Sequence, residues 1–176
     1  MDIEDLKGKD PLWLNMGSGN HRLKNKDYIN IDSFAADNVD IVSDVRELVL
    51  PNNTVDHIYS SHFLQYLTKE DAMCTLINWY NMIKPGGKII ISVPDFWVLS
   101  DIYQKRNSII EVVGPIMGIL PNGLSHKMIY DTRLLNNMLF LSGFKDIRDI
   151  MSDEDDCSSA MIDGRYISVS MGGTKR

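Results

Sequence analysis

No apolar run in this chain reaches the ~18 residues that a membrane-spanning helix needs. Cysteine is almost absent. Cys74 and Cys157 stand far apart and neither belongs to a CxxC pair, so a disulfide framework and a cysteine-rich zinc site are both excluded, and free thiols in a reducing compartment are expected. There is no Lys/Arg run either. The chain carries 18 Lys and Arg against 24 Asp and Glu, a net charge of −6, and an acidic chain gains little from a phosphate backbone. The opening residues Met1-Asp2-Ile3-Glu4-Asp5 lack the charged and apolar regions of a signal peptide. Internal repeats and low-complexity segments are missing too. These absences predict a cytoplasmic protein with no membrane and no nucleic-acid partner. What remains is ordinary globular material: 176 residues, 44% apolar, the size of one domain with a substantial core.

The most informative stretch is Leu12-Trp13-Leu14-Asn15-Met16-Gly17-Ser18-Gly19-Asn20. A short apolar run ends in two glycines one residue apart, which reads as a strand that stops and turns. Glycine there permits positive φ and removes the Cβ, so a ligand can lie against the backbone. Exposed backbone N–H groups in such a turn can face its polar or anionic part.

Further strands are expected at Tyr28–Asp32, which alternates apolar and polar residues, at Val39–Ser43, and at Val55–Ser60. Residues 20–27 are too short and polar for a packed helix, and 46–54 form a connection punctuated by Pro51-Asn52-Asn53. Thr68-Lys69-Glu70-Asp71 has the form of a capping box, with Asp71 reaching back to Thr68. The helix after it places Ala72, Leu76, Trp79 or Tyr80, and Ile83 on one stripe; Pro85-Gly86-Gly87 ends it. Lys88–Val93 reads as a strand buried on both faces. Residues 96–130 predict one helix and then a loop, with breaks at Gly114-Pro115 and Pro121-Asn122-Gly123, and are the candidate lid. Asp131 is placed to cap a helix through Leu141 that ends at Gly143. Phe144–Ile150 and Arg165–Met171 complete the strands, joined by an acidic loop. The run Asp153–Asp156 in that loop lacks the spaced ligands of a calcium site and reads as a solvated hairpin tip; no metal site is expected. Strands alternating with helices give an α/β fold with a largely parallel sheet. The final pair lacks a helical crossover, so the last strand is predicted antiparallel.

Three features then line up. Gly17 and Gly19 follow the first strand, Asp32 ends the second, and Asp44 follows the third. A carboxylate ending the strand after a glycine turn can accept both hydroxyls of a ribose. One strand further on, a carboxylate can accept from an adenine amino group, and the N–H of Val45 can donate to a ring nitrogen. This order describes an adenosine site in which no phosphate is required.

At these residues the sequence resembles the class I S-adenosylmethionine-dependent methyltransferases. The pieces are Leu14-Asn15-Met16-Gly17-Ser18-Gly19, Ile29-Asn30-Ile31-Asp32, Ser43-Asp44-Val45, Val55-Asp56-His57-Ile58-Tyr59-Ser60-Ser61-His62, Lys84-Pro85-Gly86-Gly87-Lys88, and Leu139-Phe140-Leu141-Ser142-Gly143-Phe144. They look closest to small bacterial-type members with an LNxGSG turn and a shortened first helix, whose acceptor is often a sugar or another small metabolite. The resemblance implies a Rossmann-like, seven-stranded, mostly parallel sheet with an antiparallel last strand, and S-adenosylmethionine as cofactor. It also implies roles. Asn15, Gly17, Ser18 and Gly19 would form the methionine side of the cofactor site, Asp32 the ribose side, and Asp44 with Val45 the adenine side. Ser60, Ser61 and His62 would stand near the sulfonium and acceptor. The chain departs from the family at Asn15, where an acidic residue is usual, and at Gln65-Tyr66, where many relatives carry Glu-His.

Methyl transfer from a sulfonium is an in-line displacement, so the protein mainly aligns acceptor and methyl carbon. A base is needed only where the acceptor must lose a proton, and His62 and His126 are the candidates. The sequence thus predicts methyl transfer to a small hydroxyl- or amine-bearing acceptor, a carbohydrate among the candidates. Two rivals are a nicotinamide-dependent oxidoreductase, which would want glycine where Arg22 stands, and a degenerate methyltransferase fold that binds a nucleoside or a partner without turnover.

Overall fold

The structure, a computed structural model, describes residues 1–24, 27–118, 123–151 and 156–176. Its centre is a seven-stranded sheet in the order β3-β2-β1-β4-β5-β9-β6. β1 (Trp13–Met16), β2 (Tyr28–Asp32), β3 (Ile41–Val42), β4 (Val55–Ser61) and β5 (Ile83–Pro94) run parallel. β9 (Ser168–Thr174) runs antiparallel to both its neighbours, β5 and β6 (Lys145–Asp149). The expected α/β architecture with an antiparallel last strand is therefore present.

Period-two alternation gives this sheet two unlike faces. Leu14, Met16, Ile29, Ile31, Ile58, Ile89, Ile91 and Val93 point to one face and are buried in a single core. That core is closed by α1 (Lys69–Met82) and α4 (Thr132–Leu141), through Leu76, Trp79, Leu135 and Leu139. The opposite face carries Trp13, Tyr28, His57, Tyr59 and Ile90, set side by side by the register. Between β1 and β4 the described residues contain no helix. This second face is therefore covered only in part, by Leu23 of the loop after the glycine turn and by the turn at Cys157–Ser159. A groove of about 720 Å³ remains over Trp13, Tyr28, His57, Lys88 and Ile90.

Both helices begin where local chemistry says they should. The Thr68 hydroxyl accepts from the Asp71 N–H at 3.1 Å, although only this forward bond of the capping box forms. Asp131 accepts from the Leu134 N–H at 2.7 Å, and Gly143 takes φ 108° just past α4.

The sequence reading needs correction in five places. β3 is only two residues long. α1 ends at Met82, and β5 starts at Ile83 and runs through Pro85-Gly86-Gly87, because Val55 recruits Ile83 as a ladder partner before the register slips. β5 is not buried on both faces, since Lys88 is exposed and Ile90 half-buried on the side without helices. Residues 96–118 form two helices, α2 (Phe96–Arg106) and α3 (Ile110–Met117), turned by Asn107 in the left-handed region. Gly114-Pro115 lies inside α3 instead of breaking it; part of the other break, 121–122, falls outside the described residues. Finally, Arg165–Met171 is two strands. Arg165–Tyr166 (β8) pairs with Met161–Ile162 (β7) in a small hairpin, and β9 starts at Ser168. Hairpin and helices share a satellite core of Leu99, Ile102, Val112 and Ile167 beyond the carboxyl edge of the sheet.

Candidate active site

The carboxyl ends of β1, β2 and β4 converge on one edge. Gly17 and Ser18 donate their N–H groups to the Ile31 carbonyl at 2.9 and 3.1 Å, which folds the glycine turn across β2. Gly17 (φ 70°) and Gly19 (φ 54°) both lie in the left-handed region, but for different reasons. A Cβ on Gly17 would lie 2.7 Å from the Phe63 ring, so this glycine makes room for the protein's own side chain. A Cβ on Gly19 would meet nothing within 4 Å, so that position faces open space. The Asp32 carboxylate accepts from the Gly19 N–H at 2.8 Å and the Phe34 N–H at 2.9 Å, one on each oxygen. Each oxygen keeps a second lone pair for a ligand. Ser18 is buried beside it.

Asp44 sits on the same edge, held by the Arg46 guanidinium at 2.9 and 3.0 Å. The hydrogen bond from that side chain keeps its carboxyl below the ordinary range, against the opposing effect of burial. Val45 is buried, and its carbonyl accepts from the Trp79 indole at 3.0 Å. Asn15 and Ser60 lie deeper. Asn15 is 3% exposed and donates to Asn30 at 2.9 Å; Ser60 donates to the Met16 carbonyl at 2.8 Å. Their polar groups tie β1 to its neighbours instead of lining the edge.

The two histidines have different surroundings. His62 directly follows β4 with φ 56°, a strained conformation for a residue with a Cβ, fixed by its N–H donating to the Ser92 carbonyl at 2.8 Å. Its Nδ1 is 3.1 Å from the Ser61 hydroxyl and its Nε2 3.1 Å from the Ser168 hydroxyl. Burial pulls its pKa down to about 4. His126 donates from Nδ1 to the Ile116 carbonyl at 3.0 Å and meets Tyr66 edge-on at 4.8 Å. Its Nε2 faces Gly118, where a Cβ would lie 1.9 Å away. The imidazole thus packs against the end of α3.

Sequence reasoning missed one partner here, Asp156, and did not foresee the burial of Gln65. Asp156 was taken for a solvated tip residue, yet it accepts from the Tyr59 hydroxyl at 2.8 Å and the Ser158 N–H at 2.7 Å; the rest of the acidic run, 153–155, lies outside the described residues. Gln65, on the turn after β4, is 1% exposed with both amide atoms unpaired. Among the described residues no group of His, Cys, Asp or Glu could hold a metal ion, and no helix is long and apolar enough to cross a membrane.

Comparison with known proteins follows the same line. Residues 20–91 match the family model described as a methyltransferase domain. The fold is that of the class I methyltransferases. A SAM-dependent methyltransferase from Archaeoglobus fulgidus superposes with a TM-score of 0.63 at 19% identity, over 98% of this chain and 89% of its own. One from Methanosarcina mazei gives 0.60 at 13% identity, over 98% and 96%. The 1,6-didemethyltoxoflavin-N1-methyltransferase of Burkholderia thailandensis, whose structure contains S-adenosylhomocysteine, gives 0.61 at 13% identity, over 94% and 71%. No curated protein matches by sequence. In a class I methyltransferase fold the glycine turn, Asp32 and Asp44 occupy the edge where ligands of open α/β sheets collect.

Proposed function

We propose that this protein is a cytoplasmic S-adenosylmethionine-dependent methyltransferase acting on a small hydroxyl- or amine-bearing acceptor, a carbohydrate among the candidates. The observation that carries the reading is the Asp32 carboxylate. It is anchored by the Gly19 and Phe34 N–H groups, beside open space over Gly19, with a lone pair left on each oxygen. Those free lone pairs suit the two hydroxyls of a ribose. Asp44 and the Val45 backbone would take the adenine, with Arg46 sharing the Asp44 carboxylate. The open position at Gly19 fits the polar end of the same ligand. The cofactor supplies an activated methyl group. The chain's own work is to align the acceptor, exclude water and take up a proton. Of the two candidate bases we favour His62, which directly follows β4 on this edge, over His126, whose Nδ1 is held by the Ile116 carbonyl. Within 96–130, α2 and α3 share a satellite core with Ile167 beyond the carboxyl edge of the sheet, and we read them as the cover of the acceptor.

Calorimetry with S-adenosylhomocysteine tests the cofactor reading. Binding is expected, and Asp32→Ala should weaken it about ten- to a hundredfold, the ~1.5–3 kcal/mol of a charge-assisted hydrogen bond. No binding at millimolar ligand would remove the proposal. Binding without transfer of a labelled methyl group to any acceptor would favour the second reading, a fold retained for nucleoside or partner binding. Asn15 and Gln65-Tyr66 are the residues that speak for that one.

A further inference from the structure

On the sheet face without helices, four strands place one residue each in a row. The register sets Tyr28 beside Trp13, Trp13 beside His57, and His57 beside Lys88. Ile90 stands two residues further along β5, on the same side. These residues line the groove of about 720 Å³, a volume within the ~300–1,000 Å³ range of small-molecule sites. Trp13, His57 and Ile90 are half-buried, so ring and aliphatic surface stays open to it. Two polar groups in the groove are unmatched. His57 uses Nδ1 on the Tyr28 hydroxyl at 2.7 Å, while its Nε2 is buried with no partner, a state that costs free energy and is rare in folded chains. Lys88 is exposed, and no ion pair among the described residues includes it. The other ammonium at the groove, Lys84, is already held by the Asp56 carboxylate at 2.8 Å. Among the described lining residues, Lys88 is thus the charge left without a counter-ion.

We propose that this groove is a second binding site, for a small flat aromatic molecule that carries a carboxylate. Its ring would lie against Trp13 and His57, and its carboxylate on the Lys88 ammonium. Trp13 and Lys88 stand two strands apart, about 9–10 Å at ~4.8 Å per strand, which a fused two-ring acid spans. An aromatic floor gives offset or edge-on ring contacts beyond the area it buries. The unpaired ammonium selects an anion over a neutral ring and works against a cation. The site is separate from the proposed cofactor edge. β1 and β2 begin at Trp13 and Tyr28 and reach the glycine turn and Asp32 only at their other ends. The groove therefore keeps its chemistry whether or not that edge binds S-adenosylmethionine.

Naphthalene-2-carboxylate and its neutral counterpart naphthalene-2-methanol are the probes. Calorimetry should show the carboxylate binding wild type about fivefold more tightly than the alcohol, the scale of one solvent-exposed charge pair. Lys88→Met, at an exposed position, should remove that difference, and 0.5 M salt should shrink it. Trp13→Ala should weaken both probes about tenfold. In proton–nitrogen NMR spectra the carboxylate should move the Trp13 indole signal, assigned with Trp13→Phe, and leave the exposed Trp97 signal in place. The proposal is overturned if neither probe binds at millimolar concentration, if the two bind alike, if Lys88→Met keeps the preference, or if the Trp13 signal stays still. Light scattering tests a second copy as the occupant: a dimer that Trp13→Ala dissolves would also overturn the proposal. S-Adenosylhomocysteine tests the methyl-transfer reading separately, since neither variant should change its binding. Its failure to bind wild type would remove that reading while the naphthalene probes still decide the groove.

Discussion

The two faces of this sheet are built from the same strands and are stabilised differently. On one, aliphatic side chains of β1, β2, β4 and β5 meet α1 and α4 and leave no measurable surface on Leu14, Ile31, Ile58 and Ile89. On the other, Trp13, Tyr28, His57 and Tyr59 lie beside one another with ring centroids 5.4 to 6.3 Å apart. There the polar groups bond to one another: the Tyr28 hydroxyl to His57 Nδ1 at 2.7 Å, and Asn15 to Asn30 at 2.9 Å. Tyrosines suit a face that is only part-covered, because the ring buries area while the hydroxyl finds a partner. The lesson is that a strand sequence can prepare one face for helices and the other for shallow cover within a single residue step.

Four measurements sharpen or break that contrast, taken from the largest effect down. Trp79→Ala should cost about 3–5 kcal/mol in urea denaturation, since it empties the centre of the helix-covered core and leaves the Val45 carbonyl without its donor. A cost near 1 kcal/mol would mean the two faces are equally soft.

The next effect is pH dependence. Burial holds the His57 and His62 pKa values at about 4 in the folded protein, against about 6.5 unfolded. Both folded values are depressed, so this contribution to stability is fully present above about pH 6.5. It falls as pH drops toward about 4 and is flat below. In that window the unfolded chain binds up to two protons that the folded chain does not, each a slope of about 1.4 kcal/mol per pH unit. His57→Phe should roughly halve the slope; an unchanged slope would place His57 in water.

Trp13→Ala should cost only about 1 kcal/mol, because its ring borders an open groove and leaves no closed cavity behind. The smallest change is the double variant Asn15→Val/Asn30→Val, expected within about 1 kcal/mol of wild type, since removing both partners of a buried hydrogen bond strands neither. Either single variant should be worse than the double, and the opposite ranking would mean the pair is not coupled.

Much of this was legible locally. Tyr28–Asp32 alternates and is a strand with those bounds. Asp131 and Gly143 bracket α4 because capping and left-handed backbone are properties of single residues. Gly17, Gly19, Asp32 and Asp44 reach one edge because the parallel order of β1, β2 and β3 carries their strand ends there. The reason Gly17 must be glycine was not legible, since the Phe63 ring that fills its space comes from another strand's end. Nor was the contact of Asp156 with Tyr59, 97 residues away, or of Ser168 with His62, 106 residues away.

The sequence by itself therefore determined most of the elements, the helix N-caps at Thr68 and Asp131, and the aspartates of the proposed cofactor edge, because each rests on spacing within a few residues. Only the tertiary structure decided what surrounds His62, whose Nε2 meets the Ser168 hydroxyl. That contact depends on insertion of β9 between β5 and β6, which brings the later part of the chain back to the edge its beginning built. No short-range pattern encodes a hydrogen bond whose two partners meet only after the whole sheet has formed.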